Sequence, residues 1–257
     1  MAKHILVDRE GAISLVTMNR PERRNALSLE HMQELTQAFR EISHSGESAV
    51  AILRANGPAF CAGHDLSEMV NRDPVFYREL FDACIELMST IQSIPQPVIA
   101  QVHGIATAAG CQLVATCDLA VASTEARFAT PGVKIGLFCS TPMVALSRAV
   151  GRKKAMEMLL TGEAISANQA QAAGLVNRVV APAELAAQTH VLAERIIASS
   201  AYVVGIGKRA FYQQIELPQP MAYAYTKDVM SANAAAADAQ EGMSAFLEKR
   251  SPKWCGR

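Results

Sequence analysis

The sequence predicts an α/β protein: a layered core of strands and helices, followed by a C-terminal region that is helical throughout. Three observations predict it. Short, almost wholly apolar runs recur through residue 180, as strands buried on both faces require. Segments with apolar residues at helical spacing stand between them. From about Ala183 helix-forming residues prevail to the end of the chain. Of the 257 residues, 50% are hydrophobic and 19% charged, which supplies a sizeable core and argues against disorder.

The elements follow in order. ILVDREGAISLVTMN reads as two strands joined by a turn at Glu10-Gly11. RPERRNALS is a polar loop. Ser28 caps a helix that runs to about Ser43, with Leu29, Met32, Leu35, Phe39 and Ile42 on its apolar face. SAVAILRA (48–55) is a strand buried on both faces, and NGPAFCAGHDL (56–66) a loop. Residues 75–94 form a helix stopped by Pro95 and Pro97. PVIAQVHG (97–104) is a second buried strand, HGIATAAGCQLVATCD (103–118) a loop running into a helix, and DLAVAS (118–123) a third strand. GLVNRVV (174–180) is the last short strand. SANAAAADAQEGMSAFLEKR (231–250) is a long helix-former, with Ala234, Met243, Phe246 and Leu247 among its apolar residues and Met230 just before it. The change from layered core (1–197) to helical region (198–257) falls near residue 198, and no repeat is visible by residue identity.

Charge and cysteine usage narrow the function. Lys plus Arg and Asp plus Glu both number 24, so there is no basic excess to mark a nucleic-acid binder. The six cysteines form no C-x-x-C pair, and no His/Cys set has zinc-finger spacing, so free thiols and no metal are expected. The N-terminal segment has scattered charges and no apolar stretch of a secretory signal. No uncharged apolar run reaches the roughly 18 residues of a membrane span. A soluble, cytoplasmic protein is expected.

Two loops carry the chemistry. AFCAGHDL and HGIATAAGCQL each follow a strand, at the strand's carboxyl end where ligands of open α/β folds bind. Both are rich in Gly and Ala, which lets a ligand approach the backbone. The helix of the second loop starts near Ala109 or Gly110, and its first N–H groups lack intrahelical partners. One N–H from each loop would make an oxyanion hole. Packing is the competing reading for such glycines.

AFCAGHDL together with VHGIATAAGCQLVATCDLAVAS resembles the crotonase (enoyl-CoA hydratase/isomerase) superfamily. NRPERRNALS, FATPGVKIGL, LLTGEAISANQAQAAGLVNRVV and EGMSAFLEKRSPKW fit it in the same order, so the likeness covers nearly the whole chain. The resemblance implies a spiral of ββα turns with a C-terminal helical trimerisation region, assembled as a homotrimer or as a hexamer of paired trimers. It implies an acyl-CoA ligand, with coenzyme A entering as part of the thioester and no permanently bound cofactor. The thioester oxygen would lie between the N–H groups of His64 and Ala109. The adenine would lie along Ala62, Gly63, Asp65 and Leu66, and Arg24, with nearby Arg23, would meet phosphates. The neighbouring subunit's helix would bring Phe246 and Lys249. For each of these the competing reading is an ordinary surface charge or core aromatic.

The chain departs from this family at its acids. Hydratases of the family use two glutamates, both of which must titrate. The first position is Gln112 here, which orients a group but takes no proton. The second is Gly132, and a third place used by isomerases, within GLFCSTP (136–142), also lacks a carboxylate. An oxyanion hole made of backbone survives such changes. That leaves three expectations: an acyl-CoA enzyme of hydratase or isomerase type with unusual acid/base groups, a decarboxylase or other enolate-forming lyase using His64 on a malonyl-type thioester, and a binder without turnover. His64 otherwise fills the loop while its N–H works. Cys139 stands where such decarboxylases carry a tyrosine; it, Cys61 and Cys111 are either apolar filler or thiols activated by His64.

Overall fold

The computed structural model describes residues 4–257, so the first three residues of the N-terminal segment lie outside it. The first hairpin is as expected: β1 (Ile5–Glu10) pairs antiparallel with β2 (Ile13–Met18). Helix α1 (Leu29–Ser45) begins where Ser28 accepts the His31 N–H and ends at Gly46 in the left-handed conformation. Strands β3 (Val50–Ala55) and β4 (Ala59–Cys61) lead into the short α2 (Leu66–Met69) and the long α3 (Pro74–Ser93), capped by Asp73. Strands β5 (Val98–Val102) and β6 (Ile105–Thr107) precede α4 (Ala109–Thr116). Strands β7 (Leu119–Ser123) and β8 (Arg127–Ala129) precede a 3-10 turn (Pro131–Ile135) and α5 (Pro142–Ala149).

Helix α6 (Arg152–Thr161), β9 (Ile165–Ser166), α7 (Ala167–Ala173), β10 (Arg178–Val180) and α8 (Leu185–Ile197) complete the core. Helices α9 (Ala201–Gln214), α10 (Gln219–Ala234) and α11 (Ala237–Leu247) follow. The expected single helix over 231–250 is therefore two, broken at Ala235–Ala236. The expected strand over 174–180 is shorter, because Gly174 is a left-handed helix cap.

Two sheets organise the core. The larger has the order β1-β2-β3-β5-β7-β10 and the smaller β4-β6-β8-β9. Three successive units (β3-β4-α2/α3, β5-β6-α4 and β7-β8-α5) each put one strand in each sheet and then a helix. This is the ββα winding that the resemblance implies. Strands β4, β6 and β8 were not expected; at three residues each they are too short for a period to show against Gly- and Ala-rich flanks.

The inner strands of the larger sheet, β2, β3, β5 and β7, are covered on both faces, which is why they are largely apolar runs, while the edge strand β1 is exposed. Ile13, Leu15, Val50, Ile52, Ile99 and Val121 face α8, while Val16, Met18, Ala51, Leu53, Val98 and Ala100 join the main core with α1, α3 and α4. A buried charge network ties α9 to this core. Lys208 Nζ lies 2.7 Å from Asp118 Oδ2 and donates to the carbonyls of Ile91 and Gln96 at 2.8 and 2.9 Å. Asp118 also accepts the Val98 N–H at 2.7 Å and the Tyr212 hydroxyl at 2.9 Å. Asp118 is thus structural.

Lys208→Ala leaves the Asp118 carboxylate without its counter-charge at a nearly buried site. The expected cost is about 3–5 kcal/mol, read as a lower urea midpoint. A change within about 0.5 kcal/mol, the range of ordinary surface substitutions, refutes the network's role.

Candidate functional site

The two loops meet by the closest contacts that glycine allows. Gly110, in the first turn of α4, sits so near the carbonyl of Cys61 that a Cβ there collides with it. At Gly63, whose φ is +97°, a Cβ would lie 2.9 Å from the Ala108 Cβ and 3.5 Å from the Ala109 nitrogen. Thr107 adds a hydrogen bond from Oγ1 to the Ala62 carbonyl at 3.1 Å. Ala108 adopts φ 50° and ψ −117°, a conformation that strains a residue with a Cβ. Its N–H donates to the Ala129 carbonyl, and its carbonyl accepts the Gln112 N–H, which hold it there.

This geometry frees two donors. Leu27 donates to the Gly63 carbonyl at 2.7 Å and accepts the Asp65 N–H at 2.9 Å. Those bonds bracket His64, so its own N–H points away from Leu27. Ala109 opens α4 and has no intrahelical acceptor. Among the described residues, neither the His64 N–H nor the Ala109 N–H finds a hydrogen-bond acceptor.

The rest of the first loop is braced. Asp65 is buried, caps α2 through Ser67, and pairs with Arg20 at 3.1 Å. Burial opposes its charge, but the bonds from Ser67 and Arg20 prevail and hold the carboxyl below the usual range. Its side chain is therefore occupied, as are the N–H and carbonyl of Ala62, bonded to Arg24 and Thr107. Leu66 is exposed. Arg23 and Arg24 are exposed, and among the described residues no acid pairs with either. Arg20 and Asn25 are the supporting residues that sequence reasoning missed. Arg20 also donates to the Ala26 carbonyl, and the buried Asn25 amide to those of Asn56 and Ala59. Asn25 has φ 53°, and an Asn at a left-handed turn was the available signal.

The His64 ring stands edge-on to Phe81, with centroids 5.5 Å apart at 84°. Both ring nitrogens are out of solvent and make no hydrogen bond of good geometry, although the ring lies close enough to the Leu27 backbone to draw a small upward pull on its pKa. Burial pushes the imidazole down from 6.5 to about 4, so it is neutral at pH 7. It supplies no positive field to a neighbouring thiol. Burial also pushes Cys61, Cys84 and Cys111 up to about 12, and Cys139 upward. For Cys139 this burial favours the protonated thiol, the setting of an apolar filler rather than of an activated nucleophile.

Gln112 is buried and lies one turn after Ala109, on the same side of α4. Its Oε1 faces the Cys84 thiol at 3.8 Å. Gly132, where the resemblance implies an acid, has no room for a side chain. A Cβ there would lie 2.5 Å from the Leu137 carbonyl and 2.8 Å from the Cys139 sulfur. The segment after the 3-10 turn has closed onto this place, and the Leu137 N–H donates to the Gly132 carbonyl at 2.9 Å.

The acids of the neighbouring helix do not replace it. Asp73 caps α3, Glu86 pairs with Arg40, and Glu79 and Asp82 are exposed. The Tyr77 hydroxyl bonds the Met69 carbonyl. Phe246 and Lys249 are not brought to the two loops either. Helix α11 packs on α9 and α10, and Phe246 is 83% exposed, so a site role for this pair requires a second copy of the chain. Among the described residues, no group of three or more His, Cys, Asp and Glu is arranged to hold a metal, and no helix is long and apolar enough to cross a membrane.

The chain matches the enoyl-CoA hydratase/isomerase family over residues 8–257. It is 48% identical to human enoyl-CoA hydratase domain-containing protein 3, mitochondrial, over 93% of this chain and 79% of the relative. The solved structure of that human protein superposes with a TM-score of 0.95 at 46% identity, covering 98% of this chain and 100% of the other. An enoyl-CoA hydratase from Mycobacterium smegmatis gives 0.96 at 50% identity, covering 98% and 99%. The expected cytoplasmic location is overturned: the frog, mouse, zebrafish and human relatives are all mitochondrial by name.

Two outcomes follow. Gly132→Ala forces a backbone carbonyl to move, and such overpacking costs about 1–3 kcal/mol, read as a fall in melting temperature. An unchanged melt means the segment yields freely. His31, like His64, is buried and pushed down from 6.5 to about 4. The folded state prefers both neutral, so their contribution is full above pH 6.5 and is lost as pH falls toward 4. Urea midpoints across that range check it; His31→Leu with His64→Leu should flatten the decline.

Proposed function

The chain belongs to the enoyl-CoA hydratase/isomerase family, and from that premise we propose that it holds an acyl-CoA thioester by its carbonyl oxygen. The oxygen lies between the N–H groups of His64 and Ala109. The observation that carries this is the pair of unbonded backbone donors on two loops locked together by Gly63 and Gly110. Such donors stabilise an enolate oxygen more than a neutral carbonyl, with one donor worth about 3–4 kcal/mol. Arg24 and Arg23 meet the phosphates as exposed, unpaired cations. The adenine lies along the backbone of residues 62–66. Homotrimers, or hexamers of paired trimers, bring Phe246 and Lys249 of a neighbour toward the ligand.

Hydration by the two-glutamate route is not the activity. Gln112 cannot accept a proton, and position 132 has no room for an acid without movement of Leu137. The chemistry that suits this site forms or stabilises the thioester enolate by other means. One specific observation favours a second reading, an enolate-forming lyase on a malonyl-type CoA. The His64 ring is buried beside Phe81, neutral, and without a well-formed hydrogen bond, so a ring N–H is available to donate to a substrate carboxylate. Loss of carbon dioxide would then leave the electron pair on the α-carbon, delocalised onto the oxygen in the hole, with no base needed.

Assay of crotonyl-, 3-enoyl- and malonyl-type CoAs separates these readings. Crotonyl-CoA hydration is expected at least about 10²-fold slower than in a two-glutamate relative, since each general acid or base contributes 10²–10⁴. Matching rates would overturn the proposal. Turnover of the malonyl-type thioester that falls in His64→Ala supports the lyase; tight binding with no turnover of any substrate leaves a binder.

A further inference from the structure

One face of α3 meets the side chains of both donor segments. Phe81 stands edge-on to the His64 ring at 5.5 Å, and Cys84, three residues on, meets the Gln112 carboxamide. Residues three apart on a helix are neighbours, so the His64 ring and the Gln112 side chain reach adjoining places on α3. Gln112 also follows Ala109 by three residues, a rise of about 4.5 Å along α4. Its carboxamide therefore stands beside the first carbons of an acyl group whose carbonyl oxygen the two backbone donors hold.

The contact with Cys84 fixes which way this amide faces. Burial pushes the Cys84 thiol up to about 12, so at neutral pH it carries its proton and is a donor. It donates to Gln112 Oε1 at 3.8 Å. The amide oxygen is thereby turned to α3 and the NH2 group away from it. Among the described residues that nitrogen has no acceptor, and Gln112 borders a cavity between α3 and α5, so the amide is not sealed in. Gln112 is nonetheless only 4% exposed. A nearly buried N–H donor of this kind favours a ligand oxygen over a methylene.

We propose that Gln112 is a specificity-determining residue, donating from Nε2 to an oxygen on the β-carbon of the bound acyl group, and that Cys84 is the positioning residue that aims it. The proposal rests on the acyl-CoA reading above and narrows it to thioesters with a β-oxygen, of the 3-oxoacyl or malonyl type. A plain alkyl or enoyl group leaves the amide desolvated and unpaired, and a site built to hydrogen-bond discriminates against an analogue that lacks the partner. A glutamate at this place acts in the opposite sense, because an ionised carboxylate accepts only and faces the β-oxygen as acceptor against acceptor.

Calorimetric titration with butyryl-CoA and acetoacetyl-CoA tests it, since the two differ at the β-carbon and neither has a double bond to hydrate. Acetoacetyl-CoA should bind the parent about tenfold more tightly, the worth of one well-made hydrogen bond at a nearly buried donor. In Gln112→Leu the two affinities should become about equal, and in Gln112→Glu their order should invert. Cys84→Ala should shrink the ratio, and Cys84→Ser, which keeps a donor, should restore it. A merely structural role for Cys84 weakens both thioesters alike and leaves the ratio unmoved. With the β-carbonyl carbon isotopically labelled, its NMR resonance should move downfield on binding the parent and stay in place on binding Gln112→Leu. Equal affinities in the parent, or a ratio unchanged in Gln112→Leu, overturn the β-oxygen site while acyl-CoA binding stands. A ratio unchanged in Cys84→Ala overturns the positioning role. Failure of the parent to bind either thioester overturns the acyl-CoA reading and this site with it.

Discussion

Where Gly110 meets the carbonyl of Cys61, the missing Cβ lets the first turn of α4 press directly against β4. Everything else at the site is arranged around that contact. Gly63 accepts Ala108 and Ala109 at similar closeness, and the strained Ala108 turns the chain so that α4 begins with its N–H groups facing outward. Side chains contribute little here. The donors are backbone, and they converge because two peptide segments approach more closely than any pair of side-chain-bearing residues permits. Arg20, Asn25 and Asp65 then fix the outer loop, so that the Leu27 bonds to Gly63 and Asp65 leave the His64 N–H as the unbonded group.

The same close packing decides what the site cannot do. Gly132 lies under the Leu137 carbonyl and the Cys139 sulfur. In a fold where position 132 carries a working acid, that space has to be open. Here the Leu137 carbonyl and the Cys139 sulfur fill it, and burial pushes that thiol upward from its ordinary value. Gly132 and the GLFCSTP stretch are therefore packed as one unit, with no room between them for a side chain at position 132. Gln112 completes the pattern: it keeps the length and polarity of a glutamate at the wall of the cavity but not its ability to titrate.

The large sheet was legible in the sequence because its strands are buried on both faces and read as unbroken apolar runs, and α1 and α3 because Ser28 and Pro95 mark their ends. The small sheet was not. Its strands hold three residues each, and what makes Ala59–Cys61 a strand is pairing with Ile105–Thr107, a contact distant in sequence. The ββα repeat is for the same reason invisible by residue identity: the units share a placement of strands, not a side-chain pattern. At the site, Gly63, Gly110, His64 and Ala109 could be singled out from composition and resemblance. Arg20 and Asn25 could not, because RPERRNALS looks like any polar loop until the fold brings Asp65 and the Asn56 carbonyl against it.

A backbone oxyanion hole does not depend on the identity of nearby side chains, so the proposed reading is compatible with Gln112 and Gly132 standing where acids would be expected. Donors provided by main-chain N–H groups persist through any substitution that spares the glycines, whereas proton transfer depends on two side chains that a single change each removes. The enolate oxygen is stabilised whichever bond to the α-carbon breaks, whether to hydrogen or to a carboxylate carbon. On the proposed reading, substrate choice would be decided by what surrounds the donors, where the His64 ring stands edge-on to Phe81. Were a thioester held there, such a site would discriminate by what it can accommodate and desolvate rather than by what it can protonate.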